Sequence, residues 1–337
     1  MDILITGGAG YIGSHIVKNL LEDTTHKITV IDNLSTGYQD TIKNLQTIRN
    51  FTFIEEDLNQ FEKIKSILDE NNFNTVFHFA ASIVVSESVT NPLKYYMNNT
   101  VNTANLIQCA VDSNIEKFIF SSTAAVYGEP QDISINGISE NSAKNPINPY
   151  GMSKLMSENI LQDAAKTNKI LKYVIFRYFN VAGASEDLSI GESHEPETHL
   201  IPLIAKTALG IKDEIMIYGD DYKTHDGSNV RDYIHILDLA NAHIQAIEYL
   251  NENDSNIFNC GYGKGYSVKE VVQAMKNATE LNFKAKISSK RLGDPAILVA
   301  DNSRILSKMD WKPKYNNIES ICKSSYDWEN KKRMVTH

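Results

Sequence analysis

Short apolar runs alternate with longer amphipathic stretches through the first half of the chain. Residues Ile3–Thr6, Lys27–Ile31, Phe51–Glu55, Thr75–Ala80 and Lys117–Ser121 have the β-branched and aromatic content of strands. Between them, Ile12–Leu21, Phe61–Glu70 and Leu93–Ser113 place apolar residues at helical spacing. Parallel strands need a crossover connection, and helices usually supply it. The alternation therefore predicts an α/β fold built on a doubly wound, mainly parallel sheet. A sixth strand, Leu171–Tyr178, follows a helix that begins near Tyr150.

Beyond residue 181 the regularity breaks. Residues 182–198 are polar and turn-rich and read as a surface or active-site loop. A helix (His199–Leu209), a strand (Glu214–Tyr218) and a loop through Asp226-Gly227-Ser228 follow. A helix at Asp238–Leu250 and a strand at Asn256–Cys260 are expected to return to the main sheet, with another helix and strand before Arg291. The expected division is a domain over 1–180, joined by elements from 235–260, and a smaller α/β C-terminal lobe over 181–337.

Composition narrows the class. The 337 residues are 42% apolar and 22% charged, as in ordinary globular proteins, and the net charge of −9 argues against a nucleic-acid surface. No apolar run approaches the ~20 residues of a membrane helix, so no membrane partner is expected. The first strand runs straight into a glycine loop, without a basic head or long apolar core, so a cytoplasmic protein is expected. Cys109, Cys260 and Cys322 are odd in number and far apart. They suit free thiols rather than a disulfide framework or zinc spacing, and no metal is expected.

The glycine loop is Gly7-Gly8-Ala9-Gly10-Tyr11-Ile12-Gly13. Gly8-x-Gly10-x-x-Gly13 follows a strand and opens a helix, where backbone N–H groups can approach a pyrophosphate at the positive helix end. The second strand ends in Asp32, at the distance where a carboxylate bonds the adenosine ribose hydroxyls. Its charge would repel a 2′-phosphate, which favours NAD over NADP. Asp57-Leu58, after the third strand, is placed to border the adenine. The first domain thus reads as a Rossmann-type NAD-binding domain.

Tyr150 and Lys154 lie one helical turn apart and face the same way. A phenol with pKa near ~10 is too weakly acidic to serve as a base at neutral pH. A cation within ~4–6 Å contributes about 3–4 kcal/mol at an effective dielectric near 20, and ~1.4 kcal/mol is one pKa unit. Lys154 and an oxidised nicotinamide together are therefore expected to lower Tyr150 by a few units. Thr123, just past the fifth strand, faces the same crevice and can hydrogen-bond a reacting oxygen.

With glycine loop, Ser121-Ser122-Thr123 and Tyr150-x-x-x-Lys154 in this order, the chain resembles the extended short-chain dehydrogenase/reductase superfamily. It is similar to the UDP-glucose 4-epimerase family from end to end. The matching segments include His78–Ala81, Asn91–Tyr96, Phe120–Gly128, Arg177–Asn180, Val230–His235 and Arg291-Leu292-Gly293-Asp294. The resemblance implies a tightly held NAD touched by Gly7, Gly10, Tyr11, Ile12, Gly13, Asp32, Asn33, Asp57, Leu58, Phe79, Ala80, Ala81, Asn98, Ser121, Tyr150, Lys154 and Tyr178. It implies that Tyr150 exchanges the proton of the sugar 4-hydroxyl, that Lys154 tunes Tyr150 and that Thr123 steadies the 4-oxygen. The UDP-sugar set it implies is Ser122, Thr123, Tyr150, Asn180, His199, Leu200, Met216, Tyr218, Arg231, Tyr233, Arg291, Asp294 and Leu298. Arg231 and Arg291 make chemical sense there, because fixed guanidinium groups can clamp a diphosphate. Ile83 stands where some members carry a lysine near the cofactor phosphates. A homodimer is implied, through the Leu93–Ser113 and Tyr150–Lys166 helices.

The competing readings are nucleotide-sugar 4,6-dehydratases and decarboxylases, and a non-catalytic NAD- or UDP-sugar-binding regulator. Dehydratases place Asp-Glu directly after the threonine, whereas this chain has Ala124-Ala125. Without those carboxylates an elimination lacks its acid/base pair. Retention of both Tyr150 and Lys154 speaks against a regulator. Leu298 falls where the family lines the C2 side of the hexose, with Ile297 or Val299 one register away. None is as bulky as tyrosine, so UDP-GlcNAc/UDP-GalNAc are expected to enter as well as UDP-glucose/UDP-galactose.

Overall fold

The computed structural model describes residues 1–130, 137–291 and 294–335, apart from the side chain of Val335. Strands β1 (Asp2–Thr6), β2 (Lys27–Asp32), β3 (Thr52–Glu55), β4 (Thr75–His78), β5 (Lys117–Thr123) and β6 (Lys172–Tyr178) lie in one parallel sheet. Beyond β6 follow β7 (Asn180–Ala182), β8 (Glu214–Tyr218), β9 (Val230–His235), β10 (Asn256–Cys260), β11 (Gly265–Ser267), β12 (Lys284–Ser288) and β13 (Ile297–Leu298). Strand β10 returns to pair with β6, giving the order β10-β6-β5-β4-β1-β2-β3.

The central strands are apolar at consecutive positions because both faces are covered. Alternate side chains enter different cores. Ile3 and Ile5 pack with the Tyr11–Asp23 and Ile236–Glu252 helices, whereas Leu4 faces the side holding the Phe61–Glu70, Asn102–Asp112 and Pro149–Thr167 helices. Phe77 and Val76 divide in the same way. Outside this sheet, β11, β9 and β13 pair in that order, β7 also pairs with β9, and β8 pairs with β12. A third core, including Ile201, Ile217, Val271, Met275 and Ile321, fills the C-terminal part. The Val268–Thr279 helix there starts with a capping box between Ser267 and Glu270.

The Leu93–Ser113 stretch is not one helix. It divides into Pro92–Tyr95, a π-helical turn at Tyr96–Val101 and an α-helix at Asn102–Asp112. Asn99 has turned to the chain after β4, accepting from Ser82 N–H at 2.8 Å and donating to Ser82 O at 2.9 Å. A widened turn absorbs the extra residue such a contact needs. The Gln39–Ile48 helix gave little signal because only Ile42 and Leu45 are buried. Strand β9 is buried at every position yet carries Arg231, Asp232 and His235, which hid its strand character. Among the described residues, no helix is long and apolar enough to cross a membrane.

Candidate active site

The C-terminal ends of β1, β4, β5 and β6 open into a cleft of about 670 Å³. It lies where the strand order reverses, between β1 and β4, the place where ligands bind in open α/β sheets. Gly7 turns the chain there with φ +76°, and a Cβ would lie 2.5 Å from Ala80 N. Gly10 differs: a Cβ would meet no protein atom closer than 3.4 Å, although Gly10 lines the cleft. Its missing side chain leaves room for a ligand rather than for protein packing. Gly10 also begins the Tyr11–Asp23 helix with neither a side-chain cap nor an acidic first turn. Its leading amides are thus available to an anion, as a dinucleotide pyrophosphate requires.

Asp32 ends β2 at the rim of this cradle. Its Oδ2 accepts from Ala9 N–H at 2.9 Å and its Oδ1 from Leu34 N–H at 2.8 Å. Burial raises its carboxyl pKa in spite of those two donors. Asn33 donates to Asp57 at 2.6 Å, which ties the ends of β2 and β3 together. Phe79, Ala80 and Ala81 follow β4, while Asn98 comes from the π-helical turn. Ser121 and Tyr178 come from β5 and β6, and the Tyr178 hydroxyl hydrogen-bonds His243 Nε2. Every residue expected at the cofactor lines this one cleft. The residues fit NAD.

Tyr150 enters from the first turn of the Pro149–Thr167 helix. Asn148 caps that helix, accepting from Gly151 N–H at 2.8 Å, and Pro149 is preset for its first turn. Thr123 closes β5 and lines the cleft with Tyr150, while its side-chain oxygen accepts from Ala125 N–H at 3.1 Å. The expected lowering of Tyr150 is not found in the protein by itself: burial raises the phenol, and only Thr123 pulls it down. Lys154 Nζ instead donates to Ser121 O at 2.8 Å and lies 5.0 Å from the centre of the Phe120 ring. Burial brings Lys154 down to about 7, against the pull of Glu158 one turn further on.

Ser122, Asn180, His199, Leu200, Tyr233 and Leu298 also line the cleft. Ile297 and Val299 do not. Met216, Tyr218, Arg231, Arg291 and Asp294 lie outside the lining. The two arginines have separate partners: Arg231 is paired with Asp294 and donates to Val230 O at 2.7 Å, whereas Arg291 stacks 3.8 Å over the Tyr218 ring. Asn229 donates to the other Asp294 oxygen at 2.8 Å. Leu292 and Gly293 lie outside the described residues.

Sequence reasoning missed several residues here. Ser82, Lys94, Glu192 and His194 all line the cleft. Lys94 pairs with Glu87 at 2.6 Å. His199 Nδ1 lies 2.6 Å from Glu192, whose carboxylate also approaches His194. Burial opposes a charge on His199, but Glu192 and Glu197 outweigh it and hold the imidazole at about 10. The visible signal was the spacing Glu192-x-His194-x-x-Glu197-x-His199, set in a segment read only as a polar loop.

Residues 3–261 match the model of the NAD dependent epimerase/dehydratase family. The UDP-glucose 4-epimerase of Halalkalibacterium halodurans is 42% identical over 97% of this chain and 95% of its own length. Among solved structures, the UDP-Glc/GlcNAc 4-epimerase from Campylobacter jejuni superposes with TM-score 0.86 at 51% identity, covering 98% of this chain and 99% of that one. The UDP-glucose-4-epimerase of Stenotrophomonas maltophila, with bound NAD and formylated UDP-arabinopyranose, gives TM-score 0.94 at 34% identity over 99% of each chain. On the family match, carried by the chain that forms the cleft, this protein belongs to the NAD dependent epimerase/dehydratase family.

Proposed function

We propose that this chain is a UDP-hexose 4-epimerase that interconverts UDP-glucose and UDP-galactose and also accepts the corresponding N-acetylhexosamines. One observation carries the choice of reaction. Tyr150 and Thr123 line the cleft together, Thr123 drawing the buried phenol down, and the residues that follow Thr123 in that wall are Ala124 and Ala125. Proton exchange at one hydroxyl is provided for, whereas the carboxylates of an elimination are not.

Bound NAD supplies the hydride acceptor at the sugar C4 and, on return, the donor. Tyr150 takes the 4-hydroxyl proton as C4 is oxidised and gives it back after the 4-keto sugar has turned over. Thr123 holds that oxygen through its hydroxyl, and its engagement with Ala125 N–H keeps the side chain in one orientation. Burial disfavours the phenolate, so a nearby positive charge is needed to lower Tyr150 toward neutral pH. Lys154 supplies one such charge, and Glu158 helps it to stay protonated. Asn180, Tyr233 and Leu200 offer the wall for the rest of the nucleotide sugar.

Leu298 supports the wider sugar range. It is half-buried in the wall, pairs through β13 with Arg231 of β9, and is smaller than tyrosine. The C. jejuni neighbour is described as acting on both UDP-Glc and GlcNAc forms, which agrees with this. The first domain, 1–180 with elements returning near 235–260, holds NAD on this reading, and 181–337 chiefly holds the nucleotide sugar. A homodimer is supported by Val89, Leu93 and Met97, which are 63, 72 and 59% exposed on consecutive helical turns. A cytoplasmic site of action agrees with the three buried free thiols. Such an enzyme would serve galactose use and the supply of glycan precursors.

Product analysis of the purified protein with UDP-galactose and, separately, UDP-GalNAc, without added NAD, tests this reading. Conversion of both is expected. Conversion of UDP-galactose alone would remove the wider range, and conversion of neither, even with NAD supplied, would overturn the epimerase assignment.

A further inference from the structure

Four potential ligands converge on one point at the rim of the cleft. They come from Glu192, His194, Glu197 and His199, and one ligand atom from each lies within 4.8 Å of all the others. His199 Nδ1 is 2.6 Å and His194 Nδ1 3.2 Å from Glu192 Oε1. The same two nitrogens are 3.5 and 3.9 Å from Glu197 Oε1. In a tetrahedral zinc site, with bonds of about 2.0–2.1 Å, the ligand atoms stand ~3.3 Å apart. The observed separations straddle that value.

The second observation is that both carboxylates are closed off from solvent, each with one oxygen left without a partner. Both glutamate side chains are only 2% exposed. Glu192 Oε2 and Glu197 Oε2 are buried and make no hydrogen bond, while the buried Nδ1 atoms of His194 and His199 face only these two carboxylates. Buried polar groups are ordinarily satisfied, and a cluster of them left open calls for an explanation. The ligands are also held from outside. Glu197 Oε1 accepts from Thr198 N–H at 2.8 Å and from His199 N–H at 2.9 Å. Trp328 Nε1 donates to Glu192 O at 2.7 Å, and Lys332 Nζ reaches Ser193 Oγ at 3.2 Å. The C-terminal helix therefore clamps the loop that carries the cluster.

We propose that Glu192, His194, Glu197 and His199 bind one divalent cation of the zinc class. Two imidazole nitrogens and two carboxylate oxygens form a donor set that suits a borderline ion and a tetrahedral arrangement. Two carboxylates balance the charge of the ion. The His194 ring lies edge-on to Tyr11, at 6.5 Å between centroids, so the site adjoins the helix start that faces the cofactor. Leu200, Ile201 and Pro202, which follow His199 directly, line the cleft. The ion thus braces the loop against the head of the Leu200–Ala208 helix. It also cancels two negative charges that would repel a diphosphate. Its role is structural and electrostatic, and it takes no part in proton or hydride movement.

The test uses the full, untagged chain, stripped with chelator and titrated with ZnCl2 by calorimetry, with bound metal counted by mass spectrometry. About one Zn²⁺ per chain is expected, with a raised melting temperature. His194→Gln and Glu197→Gln should each weaken binding by more than the ~10–100-fold lost when only a ligand's hydrogen-bond partner is removed. Should either variant fail to fold, the wild-type melting shift in ZnCl2, compared with MgCl2, decides the matter. Uptake below about a tenth of an ion per chain, full uptake in both variants, or uptake of Mg²⁺ in preference to Zn²⁺ would overturn the proposal. None of these readouts depends on which sugar is turned over.

Discussion

Glu158 and Arg177 form an ion pair closed off from solvent, with Arg177 Nη2 2.6 Å from Glu158 Oε2 and side-chain exposures of 1 and 0%. The pair joins the helix that carries Tyr150 and Lys154 to strand β6 of the main sheet. Arg177 Nε reaches the second carboxylate oxygen at 3.0 Å, and its Nη1 donates to the Tyr127 hydroxyl and to Glu140 O, each at 3.0 Å. Ser122, next to Thr123, donates to the same carboxylate. The position of the Pro149–Thr167 helix therefore depends on a buried charge pair as well as on apolar packing.

Removing one member of such a pair strands the other charge away from water. Glu158→Gln should lower unfolding stability by about 3–5 kcal/mol, read from urea denaturation. Adding Arg177→Met should cost less than the sum of the single changes, because the stranded cation is gone. A Glu158→Gln protein within 1 kcal/mol of wild type would mean that water or other groups already screen Arg177.

Tyr150→Phe removes the only atom that would carry the proton while keeping the ring. Turnover of UDP-galactose should fall roughly 10²–10⁴-fold, the range for loss of a positioned acid/base. The NAD carried by the purified protein should remain, as judged by its release on denaturation. Substantial residual epimerisation would transfer the proton to another group.

Leu298→Tyr narrows the wall of the cleft. UDP-GalNAc turnover should drop at least ~10-fold relative to UDP-galactose, since excluding a group from a pocket is worth about 1–3 kcal/mol. Equal losses on the two substrates would show that Leu298 does not face the C2 substituent.

The exposed strip on the helices near residue 93 gives a prediction about assembly. Leu93 is 72% exposed, and Leu93→Glu would place a charge in any apolar interface made there. Light scattering should find wild type as a dimer and the variant as a monomer. A variant that stays dimeric would place the interface elsewhere.

Two buried histidines predict a pH dependence of stability. Burial lowers His243 from 6.5 to about 4 and His78 from 6.5 to about 3. Both are neutral in the folded protein at pH 7, and each can take up a proton more readily once the chain unfolds. Their stabilising contribution is complete above pH 6.5 and is lost progressively as pH falls from there to the folded values. Across its window His243 is worth roughly 3 kcal/mol and His78 roughly 5 kcal/mol. His243 is fixed by Leu239 O on one nitrogen and the Tyr178 hydroxyl on the other. His243→Gln should flatten the slope of stability between pH 6 and 5 by about 1.4 kcal/mol per pH unit. An unchanged slope would mean that His243 is protonated in the fold.

Local chemistry made the first half legible. Strand and helix periods, the glycine turn before the Tyr11–Asp23 helix and the Tyr150/Lys154 spacing are properties of neighbouring residues, so they could be read directly from the chain. The π-helical turn could not, because it arises from Asn99 meeting Ser82 across the fold. The same holds for β9, where Asp232 accepts from Tyr262 and Gly263 N–H groups that only the folded chain brings near.

The sequence by itself picked out groups that the fold brings to one cleft: the glycine cradle, Asp32, Thr123, Tyr150, Lys154 and the small Leu298. Tertiary structure decided their state. Burial, which no local pattern encodes, raises Tyr150 and lowers Lys154. Contacts across long stretches of chain set Lys154 on Ser121, Arg231 on Asp294 and the Glu192–His199 loop against the C-terminal helix. A pKa or an ion pair depends on distance and dielectric in three dimensions, and those exist only once the chain has folded.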